Sequence, residues 1–217
     1  RILLPEYISE QLSWGQLEKI KATELEKLDL VVHCGQSIEK IDRSTQAIED
    51  SNGTSHTYDL LIMATGSRPF IPREVPLHLP GVFTIRSRTD ADRLKTYLKE
   101  TGLPSTEQHV VIVGGGLLGL EMAAALKTID VQVTIIQRAA RLMERQLDPI
   151  SSNLLAEDVV ERNIATYFDN EVSTVVPTST DKQLKVSLKS GLHINCNWAI
   201  HPSNIIDSNW TIVHSRY

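Results

Sequence analysis

Cysteine is scarce: Cys34 and Cys196 are the two in 217 residues. Their separation rules out a CxxC redox pair and a thiolate metal cluster, and two thiols cannot make a disulfide scaffold. Each reads as a buried, inert thiol in a chain suited to a reducing cytosol, and a cytoplasmic location is expected. A surplus of positive charge is also missing. Lysine and arginine number 22 against 27 acidic residues, for a formal net charge of −5. Without a basic stripe, neither nucleic acid nor an anionic membrane is an expected partner. No apolar run approaches the length of a membrane span, and the N-terminus has no signal-peptide pattern. The seven histidines are scattered and form no metal-binding cluster. What remains is ordinary globular chemistry, 41% hydrophobic and 23% charged, in a chain long enough for one large domain or two small ones.

One stretch organises the rest, His109 to Arg138. An apolar run, Val110–Val113, leads into Gly114-Gly115-Gly116-Leu117-Leu118-Gly119. A helical pattern follows (Leu118, Met122, Ala125, Leu126, Ile129), then a second apolar run, Val131–Ile136. Strand, glycine turn, helix and strand are the context in which GxGxxG marks a dinucleotide site. Gly114 makes the tight turn, Gly116 lets the backbone approach a pyrophosphate, and Gly119 lets helix and strand pack closely. The helix then directs its unpaired N–H groups and positive dipole end at the phosphates. Where an acidic residue would hold the adenosine ribose of NAD stands Gln137, followed by Arg138 and Arg141. A glutamine still bonds a ribose and does not repel a 2′-phosphate, which an arginine could pair with. Both arginines also read as plain surface charges, so the ligand is NAD(P) with a lean to NADPH.

Upstream, the opening RILLPEYISEQ carries no start signal, as if the chain were entered midway. The spacing predicts an amphipathic helix over Trp14–Leu28 and a short buried strand over Leu30–Cys34. Three short strands follow, Ser37–Asp42, Thr45–Glu49 and Ser55–Tyr58, with a hairpin signal at Asp50-Ser51-Asn52-Gly53, giving a three-stranded antiparallel meander. Asp59–Ala64 reads as a buried strand ending in Thr65-Gly66, which would place amides and a hydroxyl at the carboxyl end of a sheet. A proline-rich crossover and a helix from about Asp90 to Glu100, capped by Ser87 or Thr89, precede a domain boundary near Gly102 and Pro104. Downstream, Asp148-Pro149 starts a helix that runs to about Asn163. Four strand-like segments follow, Thr166–Phe168, Glu171–Val176, Leu184–Leu188 and Leu192–Asn197. Trp198–Tyr217 settles into neither periodicity.

Ala64-Thr65-Gly66-Ser67-Arg68-Pro69, the proline-rich crossover, and Val113–Glu121 (VGGGLLGLE) resemble the two-dinucleotide flavoproteins of the pyridine nucleotide–disulfide oxidoreductase superfamily. The likeness covers roughly Arg1 to Asn197. Within the superfamily, Arg1–Leu4 and Leu142–Asp148 look like the flavin module of NAD(P)H-dependent nitrite reductases and nitrate-reductase electron-transfer subunits. The resemblance implies an α/β fold in which a Rossmann-like NAD(P) domain is inserted in an incomplete FAD-binding domain that carries the meander. Residues 1–104 would be part of the FAD domain, 105–200 the NAD(P) domain, and 201–217 a divergent or truncated tail. Thr65, Gly66 and Arg68 would lie along FAD, and Ile38 near its adenine. Gly114, Gly115, Gly116, Leu117, Leu118 and Gly119 would cradle NAD(P), with Gln137 and Arg138 at its ribose. Glu121 would face the nicotinamide–flavin contact; otherwise it is an exposed helix carboxylate.

The resemblance also has gaps. Such enzymes have an earlier GxGxxG for FAD, a later Gly-Asp segment and a dimerisation domain, none of which stands in this sequence. Either the sequence is a fragment of a longer chain, with a homodimer possible in the intact protein, or its tail is genuinely divergent. Many relatives place a lysine soon after Leu3-Leu4 to pair with the helix glutamate, whereas Pro5-Glu6 stands here. Relatives continue past Ala199-Ile200 with glycine and arginine, whereas His201-Pro202-Ser203-Asn204 follows here. A redox-active CxxxxC pair is absent, so dithiol chemistry is not expected, and no side chain need act as acid or base. The expected activity is hydride transfer from NAD(P)H to FAD, with electrons passed to a nitrite- or nitrate-reducing or other redox partner. The competing readings are a non-catalytic nucleotide-binding remnant or sensor, and a flavin-free dehydrogenase. The latter lacks a Tyr-x-x-x-Lys or other proton donor.

Overall fold

The computed structural model describes residues 3–17, 24, 27, 28, 30–66, 72–179, 183–202 and 212–214. The chain divides into two compact units, one of residues 1–17 and 68–205, the other of residues 18–67 and 206–217.

The first unit is built on a five-stranded parallel sheet. In chain order its strands are β5 (Val82–Ile85), β6 (His109–Val113), β7 (Gln132–Ile136), β8 (Ile164–Tyr167) and β12 (Trp198–Pro202). In space they run β5-β12-β6-β7-β8. β6, with the sequence His-Val-Val-Ile-Val, is buried at Val110, Val111 and Ile112, as a strand covered on both faces must be.

One face of the sheet packs Ile112, Ile135, Trp198 and Ile200 against helices that include α1 (Leu4–Ile8), α3 (Arg88–Glu100) and α4 (Leu117–Lys127). The other face packs Val111, Ile136 and Ala199 against an antiparallel sheet of β9 (Val172–Pro177), β10 (Leu184–Leu188) and β11 (His193–Cys196). Each fully buried Ile or Leu contributes roughly 1.5–3 kcal/mol, so these two cores hold the carboxyl ends of β6, β7 and β12 in fixed register. Local signals agree with the packing. Ser87 caps α3 in a reciprocal box with Asp90, and Asp148 caps α5 (Pro149–Glu161) through the Ser151 amide.

The second unit holds the meander, β1 (Ile38–Asp42), β2 (Ala47–Asp50) and β3 (Ser55–Thr57), paired antiparallel in that order. Gly53 (φ +79°) donates to the Asp50 carbonyl at 2.9 Å and closes the second turn. A separate ribbon pairs β4 (Leu60–Ile62) with β13 (Ile212–His214) antiparallel.

Several expectations need correcting. The boundary expected near residue 104 falls inside the first unit, because β5 pairs in parallel with β12 and α1 packs on α3 and α4. Leu30–Cys34 is neither strand nor buried; Val31 is 78% exposed, and no described strand pairs with the run. Cys34 is accordingly exposed. The run Asp59–Ala64 forms a strand only over Leu60–Ile62, where Leu60 and Ile62 are exposed beside a single antiparallel partner. Of the helix expected over Trp14–Leu28, α2 (Trp14–Leu17) and Glu24 are helical, and most of the remainder lies outside the described residues. Finally, Trp198–Pro202 is a central strand; Trp198, Ala199, Ile200 and His201 are all buried, so the run carries no alternation to read.

Candidate dinucleotide site

β6 ends at Val113, and the chain turns through Gly114 at φ +121°, a conformation open to glycine and strained for any side chain. The turn is held by the Gly114 amide, which donates to the Ile136 carbonyl of β7 at 2.8 Å. A Cβ on Gly119 would collide with the Gly114 carbonyl oxygen, so this glycine sets how closely α4 sits on the turn. A Cβ on Gly115 would stand 2.5 Å from Leu142 Cδ2. Gly116 differs: nothing lies within 4 Å of a Cβ placed there. The space in front of Gly116 is therefore open, while the glycines on either side are bare because protein atoms press on them.

Gly116 is also the N-cap residue of α4, and no side chain caps that end. The first-turn amides of Leu117 and Leu118, which have no intrahelical acceptor, are left for an anion. Leu117 is exposed and Leu118 half-buried at the loop rim. An uncapped eleven-residue helix behind a side-chain-free turn fits a pyrophosphate. The site lies at the carboxyl end of the sheet where the strand order reverses. From β6 the chain crosses by α4 to β7 on one side, and β12 later enters on the other. Parallel α/β sheets bind ligands in that crevice.

Gln137 follows β7 directly. Its Oε1 accepts the Gly115 amide at 2.8 Å, and its Nε2 donates to the Arg141 carbonyl at 3.0 Å. The side chain expected at the ribose thus braces the glycine turn, and it takes up the Gly115 amide that was assigned to the ligand. Leu142, fully buried, closes the turn from below, and the Ser152 hydroxyl holds the Leu142 carbonyl at 2.7 Å. Sequence reasoning gave neither residue a role. Arg138 is exposed, with its Nε 4.0 Å from Glu171, a carboxylate that also pairs with Lys189.

Glu121 lies one turn into α4. Its Oε2 is buried without a hydrogen-bond partner among the described residues, and the same holds for Oε2 of Glu6 on α1. Burial first, and then the Glu6 charge, raise the Glu121 carboxyl above its ordinary value. A like-charged neighbour therefore stands where the resemblance led one to expect a lysine.

In the second unit, Ile38 is exposed at the start of β1, and Thr65 and Gly66 (φ +71°) are exposed beyond β4. Arg68 lies outside the described residues.

Fold and turn define a dinucleotide-binding α/β protein. Residues 5–200 match the family of pyridine nucleotide-disulphide oxidoreductases, and the chain belongs to that family of FAD- and NAD(P)H-binding enzymes. It is 30% identical over 185 residues to the nitrite reductase [NAD(P)H] large subunit of Klebsiella oxytoca, covering 85% of this chain and 18% of that protein. It is 25% identical to the assimilatory nitrate reductase electron transfer subunit of Bacillus subtilis (strain 168), covering 94% of this chain and 26% of that protein. The fold matches the crystal structure of reduced Bacillus anthracis CoADR-RHD with a TM-score of 0.81 at 23% identity, over 95% of this chain and 37% of that one. The chain thus spans about a quarter or less of these two curated relatives. Among the described residues no helix is long and apolar enough to cross a membrane.

Proposed function

We propose that this chain supplies the NAD(P)H-binding part of a flavin-dependent oxidoreductase that delivers electrons to a nitrite- or nitrate-reducing partner or domain. The observation that carries the reading is the open, side-chain-free space at Gly116, ahead of an uncapped helix end. Gly114, Gly116 and the amides of Leu117 and Leu118 would hold the pyrophosphate. Gly119 fixes the helix against the turn, and Gln137 and Leu142 keep the turn rigid from below. Arg138 would stand near the adenosine ribose. Thr65, Gly66, Arg68 and Ile38 would lie along FAD. When bound, NAD(P)H supplies a hydride and FAD accepts it, chemistry that belongs to the cofactors while the protein orients them. The nitrite and nitrate assignment rests on the two relatives named above.

A non-catalytic nucleotide-binding module is the second reading. It is favoured by the exposure of Ile38, Thr65 and Gly66 and by the open apolar face of β4. Calorimetric titration of the 217-residue chain with NADH, NADPH and FAD tests the first step. Binding of a pyridine nucleotide without FAD favours the module; binding of neither removes both readings. The intact protein should be yellow and bleach with NAD(P)H under anaerobic conditions, and a colourless preparation would remove the flavoenzyme.

A further inference from the structure

Arg138 follows Gln137 beyond the carboxyl end of β7, and its Nε lies 4.0 Å from Oε1 of Glu171. Glu171 comes from another part of the chain, one residue before β9. Its second oxygen accepts a hydrogen bond from the ammonium of Lys189, which directly follows β10. The Lys189 amide also donates to the Glu171 carbonyl at 2.9 Å. Main-chain bonds then hold the loop before β9 against the loop after β7. The Asn170 amide donates to the Gln137 carbonyl at 3.2 Å, and the Asp169 amide to the Ala139 carbonyl at 3.3 Å. Arg141, the other arginine of the β7 loop, is turned back on that loop, with Nη2 donating to the Glu144 carbonyl at 3.2 Å. Arg138 instead faces a carboxylate, which a ligand anion could displace. The Lys189 hydrogen bond, then the charges of Lys189 and Arg138, hold the Glu171 carboxyl below its ordinary value against a raising effect of burial. It is therefore ionised at neutral pH.

NADH and NADPH differ by one phosphate on the 2′ oxygen of the adenosine ribose. In folds of this kind that ribose lies at the end of the second strand of the glycine motif, here β7. A guanidinium matches a phosphate with two parallel hydrogen bonds. Glu171 opposes that match twice, since its charge repels the phosphate and it occupies the same guanidinium. We propose that Glu171 is a positioning residue that sets the choice between NADH and NADPH, competing with a 2′-phosphate for Arg138 while Lys189 limits how far it competes. The three charges come from the ends of β7 and β10 and the start of β9, so the choice is not confined to the loop after β7. The inference rests on the NAD(P)H reading above and adds to it what governs the preference.

The test is the ratio of NADPH to NADH affinity, from calorimetric titration of the 217-residue chain at low ionic strength, where exposed charges are least screened. Exposed ion pairs add little to stability, so the variants should fold as wild type does. Glu171→Gln removes the competitor and should tighten NADPH about three- to fivefold while NADH stays within about twofold. Lys189→Gln leaves Glu171 to Arg138 alone and should weaken NADPH about two- to threefold, again with NADH little changed. Lys189→Arg should restore the wild-type ratio. In an Arg138→Ala background the effect of Glu171→Gln should shrink to less than about twofold, because no guanidinium is released. A merely structural role would move both nucleotides together and would not change sign between Glu171 and Lys189. Should NADPH and NADH shift alike in Glu171→Gln, or should its effect survive Arg138→Ala in full, the role of Glu171 is wrong and the dinucleotide site stands. Should wild type bind neither nucleotide, the site itself is wrong, and the inference falls with it.

Discussion

The Gln137 carboxamide and the Gly115 amide are joined at 2.8 Å, and the same side chain reaches the Arg141 carbonyl at 3.0 Å. One residue therefore ties the glycine turn to the loop after β7. Gln137→Ala would strand the buried Gly115 amide, and we expect a loss of about 1–3 kcal/mol in urea unfolding. Gln137→Glu keeps an acceptor for that amide but cannot donate to Arg141, so its loss should be smaller. Its added charge would face a 2′-phosphate, and NADPH should lose more affinity than NADH. Equal losses for the two nucleotides would place Gln137 away from the ribose.

Gly116 and Gly119 should respond differently to the same methyl group. Gly116 has φ −85° and free space, so Gly116→Ala meets no clash; the gain of about 0.4–1 kcal/mol through the unfolded chain is offset by alanine's poorer N-capping, and stability should change little. The methyl would occupy the proposed pyrophosphate position, and nucleotide affinity should fall at least about tenfold. Gly119→Ala sets its methyl against the Gly114 carbonyl and should lower stability itself. Thermal unfolding and nucleotide titration of the two variants separate these effects. A Gly116→Ala chain that binds as well as wild type would contradict the cradle.

The glycine turn was legible because its demands fall on the backbone: a positive φ, a close approach and an open space each select glycine, and the two flanking strands supply the context. The starts of α3 and α5 were legible for the same reason, since Ser87 and Asp148 meet amides that every helix leaves unpaired. Leu30–Cys34 and Trp198–Pro202 misled in opposite directions. An apolar run states that a segment can be buried, not that neighbours cover it; Leu30–Cys34 has no described strand beside it. A strand covered on both faces has no polar alternation, and Trp198–Pro202 also carries a histidine and a proline. Its neighbours β5 and β6 fix it as a strand, and they are remote in sequence. Gln137 was placed by its position in the motif, but its bonds to Gly115 and Arg141 depend on loop geometry that spacing does not contain.

The Glu121 carboxyl sets a pH dependence. Glu121 is raised in the folded chain, chiefly by burial and then by Glu6, so the folded state holds its proton more tightly than the unfolded state. This group's contribution to stability therefore declines as pH rises from its unfolded value, near 4.5, through its folded value. Glu121→Gln should lose that decline, and its Tm advantage over wild type should grow as pH rises above about 4.5. Glu6→Lys supplies an opposite charge and should stabilise the chain most at neutral pH. A Tm difference that is flat with pH in both variants would show that the Glu121 carboxyl is not raised by its surroundings.

The two cysteines should differ in reactivity as their surroundings differ. Cys196 on β11 is 2% exposed, and burial pushes its thiol up to about 12. Thiolate is the reactive form, so at pH 8 Cys196 offers almost none of it and little access. Cys34 is exposed and in no disulfide. A chromogenic disulfide reagent should therefore label one thiol per folded chain and two after denaturation. Cys34→Ser should abolish the fast reaction, while Cys196→Ser leaves it intact. The Cys196 rate in the folded chain should follow local opening, and saturating NAD(P)H should slow it further if the nucleotide stabilises this unit. Rapid modification of both thiols in the folded chain would mean that β11 is not packed against the sheet face formed by Val111, Ile136 and Ala199.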